Sequence, residues 1–161
     1  MKFKILTLFP EMFPSTLAYS LAGDALEKGL WSYDAVNLRD FGVGKHKNVD
    51  DSPYGGGAGM VLRADVLGAA LESQKSKIKS QKPIYLSPRG KPLTQAKVTE
   101  LAKQQELTLI CGRFEGIDER VIEHYGIEEI SIGDYILSGG EPAALVLMDA
   151  IIRVLPNVLG N

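Results

Sequence analysis

The sequence has few of the residues and segments that mark several common protein classes. Cys111 is its single cysteine, which excludes an intrachain disulfide, and its two histidines, His46 and His124, lie too far apart for a zinc-binding pattern. No apolar run approaches the roughly 20 residues that a membrane helix requires. The start, Met1 to Lys4, lacks the apolar segment of a signal peptide. These absences predict a soluble cytoplasmic protein without a structural metal site.

Two nucleotide-binding fingerprints are also missing. The glycine run Gly55–Gly59 fails the G-x-G-x-x-G spacing, and no Lys-Ser or Lys-Thr pair follows it as in a P-loop. No acidic residue follows the first predicted strand at the position expected in a nicotinamide dehydrogenase, so that class is disfavoured. The 161 residues are 45% hydrophobic and 24% charged, values that suit one globular domain with a sizeable core.

The charge of the chain is small overall but unevenly distributed. A net charge of −2 argues against wholesale coating of nucleic acid. Basic residues nevertheless concentrate in one stretch, namely Lys75, Lys77, Lys79, Lys82, Arg89, Lys91, Lys97 and Lys103. This stretch is either a phosphate-neutralising surface or, more commonly for such a pattern, a solvated helix face followed by a lysine-rich loop.

Short apolar runs alternate with longer helical patterns along most of the chain. Strands are predicted at Phe3–Phe9, Trp31–Leu38, Pro83–Ser87, Leu107–Cys111 and Ile127–Ile132. Helices are predicted at Ser15–Lys28, Met60–Lys75, Thr94–Gln104, Asp118–Tyr125 and Glu141–Leu155. This alternation predicts an α/β fold with a mostly parallel sheet flanked by helices.

Ligand-like residues follow three of the predicted strands. These segments are Tyr85–Pro88, Cys111–Gly116 and Ser131–Tyr135. Because ligands of parallel α/β sheets gather at the carboxyl ends of the strands, the three segments would line one small-molecule crevice if their strands are neighbours. The last segment continues through Gly139 and Gly140 into Glu141, where glycine would let the backbone approach a flat heterocycle. The alternative is a loop that only turns the chain into its last helix.

The region Gly42–Gly59 lacks a periodic apolar pattern and forms a long predicted loop. Loops of this length are more often functional or mobile than simple connections. It contains several charged or imidazole side chains, namely Lys45, His46, Lys47, Asp50 and Asp51. A binding role is therefore a hypothesis for this loop.

Taken together, several stretches resemble the bacterial tRNA (guanine-N1)-methyltransferase family. This family belongs to the knotted (SPOUT) superfamily of S-adenosylmethionine-dependent RNA methyltransferases. The matching stretches are long and run the whole length of the chain. They are Leu6–Phe13, Asn37–Asp40, Val49–Met60, Tyr85–Pro88, Cys111–Arg120 and Ser131–Glu141.

The resemblance implies both a fold and an activity. It implies a deep trefoil knot between Tyr85 and Ala143, and a catalytic domain spanning residues 1–161 without the helical tRNA-binding domain that family members carry after it. The implied reaction moves the methyl group of S-adenosylmethionine to N1 of the guanosine at tRNA position 37, next to the anticodon. An alternative from another class is a non-catalytic nucleotide- or RNA-binding domain with the same knotted fold.

The resemblance also assigns a cofactor pocket. Backbone groups at glycines would read the edge of the adenine while aliphatic side chains cover its faces. We expect Gly140→Val to block binding, because its β-branched side chain would fill space that the backbone needs to approach the adenine. The implied cofactor-binding residues are Tyr85, Leu86, Ser87, Pro88, Gly112, Arg113, Gly116, Ser131, Ile132, Gly133, Tyr135, Leu137, Gly139 and Gly140.

Other residues match the family's catalytic and substrate-binding positions. Guanine N1 is a poor nucleophile until a base removes its proton, and charge that develops on O6 needs a nearby cation. Arg153 matches the arginine near that oxygen, and Glu115 matches a carboxylate of the same cleft, while the base itself is expected beyond residue 161. The implied contacts to the target nucleotide are Asp50, Gly55, Gly56, Gly57 and Gly59.

Each of these residues also has a purely structural interpretation. Arg153 would complement the dipole at the end of the last helix. Glu115 would cap the helix that starts near Asp118, and Asp50 would be an ordinary turn residue. The sequence pattern alone favours these structural interpretations over the functional ones.

The resemblance finally implies partners and conditions. It predicts a homodimer whose active sites lie at the interface, binding of the tRNA anticodon stem-loop, and assistance of turnover by Mg²⁺. Because the expected base lies beyond residue 161, we expect residues 1–161 to bind S-adenosylmethionine almost normally while methylating tRNA poorly.

Overall fold

A computed structural model describes residues 1–75 and 81–159, and a five-stranded sheet forms its centre. Its strands are β1 (Lys2–Thr7), β2 (Ser32–Asn37), β5 (Ile84–Pro92), β6 (Glu106–Ile110) and β7 (Glu128–Ser131), in the order β2-β1-β6-β5-β7. Every pairing within this sheet is parallel. Two further short strands, β3 (Asp50–Asp51) and β4 (Val61–Leu62), form a separate antiparallel pair. The predicted parallel α/β sheet is confirmed.

Five α-helices cover the two faces of the sheet: α1 (Ser20–Glu27), α2 (Ala64–Ser73), α3 (Gln95–Leu101), α4 (Glu119–Tyr125) and α5 (Glu141–Arg153). Apolar residues of α1, α3 and α5 pack in one buried cluster with Trp31, and those of α2 and α4 pack in a second cluster on the opposite face. Within the described ranges, no helix is long and apolar enough to cross a membrane.

The core follows the two-residue period of the strands. In β1, Ile5 belongs to the cluster with α5, whereas the next residue, Leu6, belongs to the cluster with α2. In β6, Leu109 and Ile110 divide in the same way between the two faces. Both faces of these central strands are therefore buried, which explains their nearly continuous apolar sequence.

The predicted bounds of two helices are wrong. The prediction of a helix over Met60–Lys75 missed β4, which pairs with β3, and α2 begins only at Ala64. The predicted helix Ser15–Lys28 is divided into a 3₁₀ turn, Ser15–Ala18, and α1. The division occurs because Ser20 adopts a positive φ of 55°, which a continuous α-helix does not allow.

Strand β5 is longer than its predicted extent, Pro83–Ser87, and pairs with β7 twice. Leu86 and Lys91 are both opposite Ile130, so the residues between them form an irregularity in the strand. A Cβ at Gly90 would lie 2.5 Å from the carbonyl carbon of Glu129, so only glycine fits there. This irregularity accommodates Pro88, whose missing N–H would interrupt a regular central strand.

The other predicted helices and strands are present with shifted ends. Thr94 caps α3, as predicted, by accepting a hydrogen bond from the Lys97 amide at 3.2 Å. Asp118 caps α4 by accepting one from the Arg120 amide at 3.0 Å. The result is a sheet in which β6, β5 and β7 are direct neighbours, as the predicted crevice requires.

Candidate functional site

One cavity of about 470 Å³ lies at the carboxyl ends of β6 and β7 and beside the irregular part of β5. Its volume falls within the ~300–1,000 Å³ typical of small-molecule pockets. Every residue predicted to hold the cofactor lines it: Tyr85, Leu86, Ser87, Pro88, Gly112, Arg113, Gly116, Ser131, Ile132, Gly133, Tyr135, Leu137, Gly139 and Gly140. The structure thus brings the three strand ends together around one space.

The first part of β5 supplies a buried wall of the cavity. The ring of Tyr85 lies against Gly112, where an added Cβ would be 2.6 Å from a ring carbon. Burial raises the pKa of the Tyr85 phenol, so this side chain is neutral at physiological pH. The Ser87 hydroxyl accepts a hydrogen bond from the Arg89 amide at 3.2 Å, which turns the chain at the cavity edge.

The loop after β6 is fixed to the segment around β4. The Glu115 amide donates to the Met60 carbonyl at 2.9 Å, and the Leu62 amide donates to the Gly116 carbonyl at 3.0 Å. Gly116 adopts a φ of +118°, which only glycine tolerates well. The backbone of this loop is therefore held by its neighbours, while the side chain of Glu115 is exposed at the cavity.

The capping role considered for Glu115 is wrong. The residue that caps α4 is Asp118, and the Glu115 side chain instead lies beside the glycine-rich loop. A Cβ added at Gly59 would be 2.5 Å from the Glu115 Cγ. Glu115 thus stands between the cavity and that loop, where a bound nucleotide would meet both.

The loop after β7 closes one side of the cavity with apolar residues that remain largely uncovered. Ser131 begins it with a tight turn, in which its hydroxyl donates to the Gly133 carbonyl at 2.9 Å. Tyr135, Ile136 and Leu137 are 54%, 88% and 40% exposed, respectively. Adjacent exposed apolar side chains of this size mark a surface that a ligand or partner covers.

The glycines near the end of that loop pack tightly on the segment that directly follows β6. The Gly140 amide donates to the Gly112 carbonyl at 2.9 Å. A Cβ at Gly140 would lie 2.8 Å from the Cys111 Cα, and one at Gly139 would lie 2.3 Å from the Arg113 Nε. The tightest constraint at Gly140 is thus set by protein backbone, not by space for the adenine.

The loop predicted to bind the target nucleotide lies at the rim of the cavity. Pro53 and Tyr54 line the cavity, whereas Asp50 belongs to β3 and pairs opposite Leu62. The strand pairing replaces the interpretation of Asp50 as an ordinary turn residue. Positive φ angles between 84° and 134° occur at the predicted substrate-binding glycines, namely Gly55, Gly56, Gly57 and Gly59.

Arg153 is separated from the other predicted catalytic residue. It is exposed in the last turn of α5 and is not among the residues that line the cavity, whereas Glu115 is. A single chain therefore does not bring the two side chains into one site. Its position in the last helical turn also suits the structural interpretation, in which a cation complements the helix dipole.

Charged and aromatic residues that the sequence patterns did not assign also line the cavity. Arg89 Nη2 lies 3.1 Å from Glu119 Oε2, joining the irregular part of β5 to the start of α4. The Arg120 guanidinium lies 4.1 Å from the centre of the Tyr54 ring and is paired with Asp118. Asp118, Glu119 and Arg120 lie within the matching stretch Cys111–Arg120, which was the available signal. Sequence order does not show which side chains meet.

Some members of the basic stretch are ion-paired, among them Lys75, Arg89 and Lys97. Lys97 Nζ lies 2.9 Å from Glu100 Oε1 and 2.8 Å from Glu128 Oε1. Lys75 is paired with Glu72. Lys77 and Lys79 fall outside the described residues. The pairing seen here favours a solvated, ion-paired surface over a dedicated phosphate-binding one.

Comparisons with known proteins assign a family to these features. A family model described as tRNA (Guanine-1)-methyltransferase TrmD matches residues 1–161. A tRNA (guanine-N(1)-)-methyltransferase of Ruegeria pomeroyi is 60% identical over 159 residues, which are 98% of this chain and 65% of the relative. Relatives with the same name from Mesorhizobium japonicum and Bartonella quintana are 59% and 60% identical, covering 99% and 100% of this chain and 69% of each relative. The chain thus spans about two thirds of the length of the curated relatives it matches.

Proposed function

The chain belongs to the tRNA (guanine-1)-methyltransferase family, and from that membership we propose that it acts as an S-adenosylmethionine-dependent tRNA methyltransferase. The proposed acceptor is N1 of the guanosine at tRNA position 37. One observation supports this most strongly: the family-like segments Tyr85–Pro88, Gly112–Gly116 and Ser131–Gly140 surround a single cavity of about 470 Å³. That space is suited in size to a nucleoside-containing cofactor.

The lining residues suit the proposed cofactor. Leu86, Ile132 and Leu137 offer apolar surface for the faces of an adenine, and the glycine-rich segments expose backbone groups for its polar edge. When bound, S-adenosylmethionine supplies an electrophilic methyl group on its sulfonium. In this proposal the task of the protein is to hold the donor and the guanine N1 in line and to exclude water.

The remaining chemistry concerns the guanine. For proton removal from N1, the family resemblance implies a carboxylate beyond residue 161. In the proposal, the target nucleotide binds at the cavity rim. It contacts Glu115 and the loop that contains Asp50 and Gly55–Gly59. The supporting observation is the direct contact between Glu115 and Gly59. Arg153 offsets charge that develops on O6.

The location of Arg153 motivates the proposal of a homodimer. Since Arg153 is exposed and outside the cavity of its own chain, we propose that it serves the cavity of a second copy across a two-fold interface. The exposed apolar residues Tyr135, Ile136 and Leu137 are proposed to be covered in that dimer. Analytical ultracentrifugation tests the assembly; a monomer at micromolar concentration that still binds the cofactor would contradict it.

The trefoil knot is a further proposal. It is supported by the tight path of the chain near the cavity, where Gly140 is packed on the backbone of Cys111 and Gly112 and β5 pairs twice with β7. An experimental structure tests it directly. A chain that could be pulled straight from its two ends would contradict the knot.

Dependence of the transfer on Mg²⁺ is proposed without a preformed protein site. Among residues 1–75 and 81–159, no group of three or more His, Cys, Asp or Glu side chains could hold a metal ion. Mg²⁺ commonly retains waters and binds with substrate phosphates, so we expect chelation to slow transfer while leaving cofactor affinity unchanged.

The activity is tested by transfer of a labelled methyl group from S-adenosylmethionine to a tRNA transcript. The matched control is the same transcript with adenosine at position 37. The proposal expects label in the first RNA only, and in a product with the mobility of N1-methylguanosine. Binding of cofactor and RNA without transfer by the full-length protein would instead support the non-catalytic alternative.

A further inference from the structure

A buried carboxylate lies beneath the loop that closes the proposed cofactor cavity. Glu141, the first residue of α5, has an exposure of 0%. The Thr7 hydroxyl donates to Glu141 Oε1 at 2.7 Å, and Arg113 Nη2 lies 2.9 Å from Glu141 Oε2 in an ion pair that is not aligned as a regular hydrogen bond. A charge buried in this way is unfavourable unless it is paired, so Glu141 strongly favours an arginine held at this point.

Arg113 reaches from this carboxylate to the backbone of the loop after β7. Its Nη1 donates to the Ser138 carbonyl at 3.1 Å. Its guanidinium carbon lies 4.6 Å from the centre of the Phe9 ring, an arrangement typical of a cation–π contact. Gly139 lies directly over Arg113, where an added Cβ would be 2.3 Å from Nε. The guanidinium is thus directed at protein groups although the residue lines the cavity.

These contacts join three places that are distant in sequence. Thr7 ends β1, Arg113 follows β6, and Glu141 begins α5. Ser138, in the loop between β7 and α5, is linked to them through Arg113. A loop whose neighbouring side chains are largely exposed has few other contacts to fix its shape.

We propose that Glu141 and Thr7 are positioning residues for cofactor binding, acting through Arg113. The Glu141 carboxylate fixes Arg113, and Arg113 holds the loop of residues 133–139 in the conformation that receives S-adenosylmethionine. The inference rests on the proposed cofactor site and adds residues to it that do not line the cavity. We call these contacts of Thr7, Glu141 and Arg113 the clamp. Without the clamp, the loop would have to be ordered when the cofactor binds, and affinity for the cofactor would fall.

The first test replaces the carboxylate by an amide of the same size. Glu141→Gln keeps an acceptor for Thr7 but places a neutral group beside Arg113, and we expect its dissociation constant for S-adenosylmethionine, measured by calorimetry, to rise at least tenfold. Thr7→Val should weaken binding in the same direction, whereas Thr7→Ser should bind like the parent because it retains the donor. An unchanged dissociation constant in Glu141→Gln would overturn the proposal.

A matched control separates positioning from loss of stability. Lys4 and Glu106 form a comparable ion pair at 3.1 Å, with side chains 13% and 15% exposed, toward the other end of β1 and β6. Glu106→Gln should destabilise the fold without changing the cofactor dissociation constant. If Glu106→Gln and Glu141→Gln weaken binding equally, Glu141 has only a structural role.

A double-mutant cycle tests whether Glu141 acts through Arg113. We expect Arg113→Met to weaken binding strongly, and Glu141→Gln to add less than a twofold further loss in that background. Fully multiplicative losses would show that Glu141 acts by another route and would overturn the proposal.

Hydrogen exchange tests the contacts of Glu141 and Arg113 independently of the proposed function. In the ligand-free protein, amides of residues 133–139 should exchange faster in Glu141→Gln than in the parent, while amides of β2 should not change. If the parent fails to bind S-adenosylmethionine, the proposed function is wrong, yet this comparison still decides whether the clamp exists. Equal exchange in parent and variant would overturn it.

Discussion

Substitution of Gly140 is a sharp test of the cavity because the residue needs no unusual backbone conformation. Its φ and ψ are −80° and −10°, angles that any L residue adopts. A Cβ would, however, lie 2.8 Å from the Cys111 Cα and 3.0 Å from the Gly112 nitrogen. Any loss in Gly140→Ala or Gly140→Val therefore comes from contact with Cys111 and Gly112, directly after β6, and not from backbone strain.

The expected magnitude follows from the kind of atom contacted. The backbone of Cys111 and Gly112 cannot move as the end of a side chain can, because the Cys111 amide donates to the Leu6 carbonyl at 2.9 Å. Overpacking should therefore cost about 1–3 kcal/mol of stability in Gly140→Ala. The shift also lengthens the 2.9 Å hydrogen bond from the Gly140 amide to the Gly112 carbonyl. Gly140 forms part of the cavity wall, called here the cavity floor, and its displacement should weaken S-adenosylmethionine binding by at least tenfold, about 1.4 kcal/mol. Gly140→Val should lose more affinity than Gly140→Ala.

Urea denaturation and titration calorimetry measure these two effects on the same samples. Gly68→Ala is the matched control, since the added Cβ would meet only the Tyr125 side chain, at 3.1 Å from its hydroxyl oxygen, on the face away from α5. We expect Gly68→Ala to bind the cofactor like the parent. Parent-like affinity in Gly140→Val would refute the assignment of the cavity floor.

Three further outcomes are expected. Burial raises the pKa of the Cys111 thiol well above its usual range, so Cys111 should react with an aromatic disulfide reagent only at the rate of unfolding; rapid labelling of the folded protein would contradict its burial. The hydrogen bond from Arg120 lowers the pKa of Asp118. The stabilisation is therefore present above the ordinary aspartate range and lost as pH falls through the lowered pKa. Asp118→Asn should flatten the decline in stability below about pH 4, and an unchanged acid profile would count against the pair. Arg153→Ala in the full-length protein should slow methyl transfer about 10²-fold or more with cofactor affinity unchanged, whereas an unaffected transfer rate would remove Arg153 from the mechanism.

Much of the sheet could be predicted because its strands are buried on both faces. Leu107–Cys111 and Pro83–Ser87 read as short apolar runs, and glycine or proline marked their ends. The pairing of β5 with β7 on both sides of an irregularity was not predictable, because it depends on the contact of Gly90 with Glu129, which is distant in sequence. The strand at Val61–Leu62 was missed because two residues are too few to show a period.

The candidate site was predicted largely by resemblance. The three segments that the motif order predicted to meet do line one cavity, since strand ends of a parallel sheet share an edge; their role in holding the cofactor stays a prediction. The same patterns gave no indication that Glu141 meets Thr7 and Arg113, because such a contact depends on the three-dimensional path of the chain. Arg153 shows the converse limit: a motif match names a residue, but the structure places it outside the cavity of its own chain.

The central claim is that the ends of β5, β6 and β7 hold S-adenosylmethionine. A crystal structure of the protein soaked with that compound tests the claim most directly. We predict that the adenine lies against the backbone near Leu86, Gly112 and Ile132, within the cavity of about 470 Å³. Binding at any other place, or an empty cavity at a concentration that saturates the protein in solution, would contradict it.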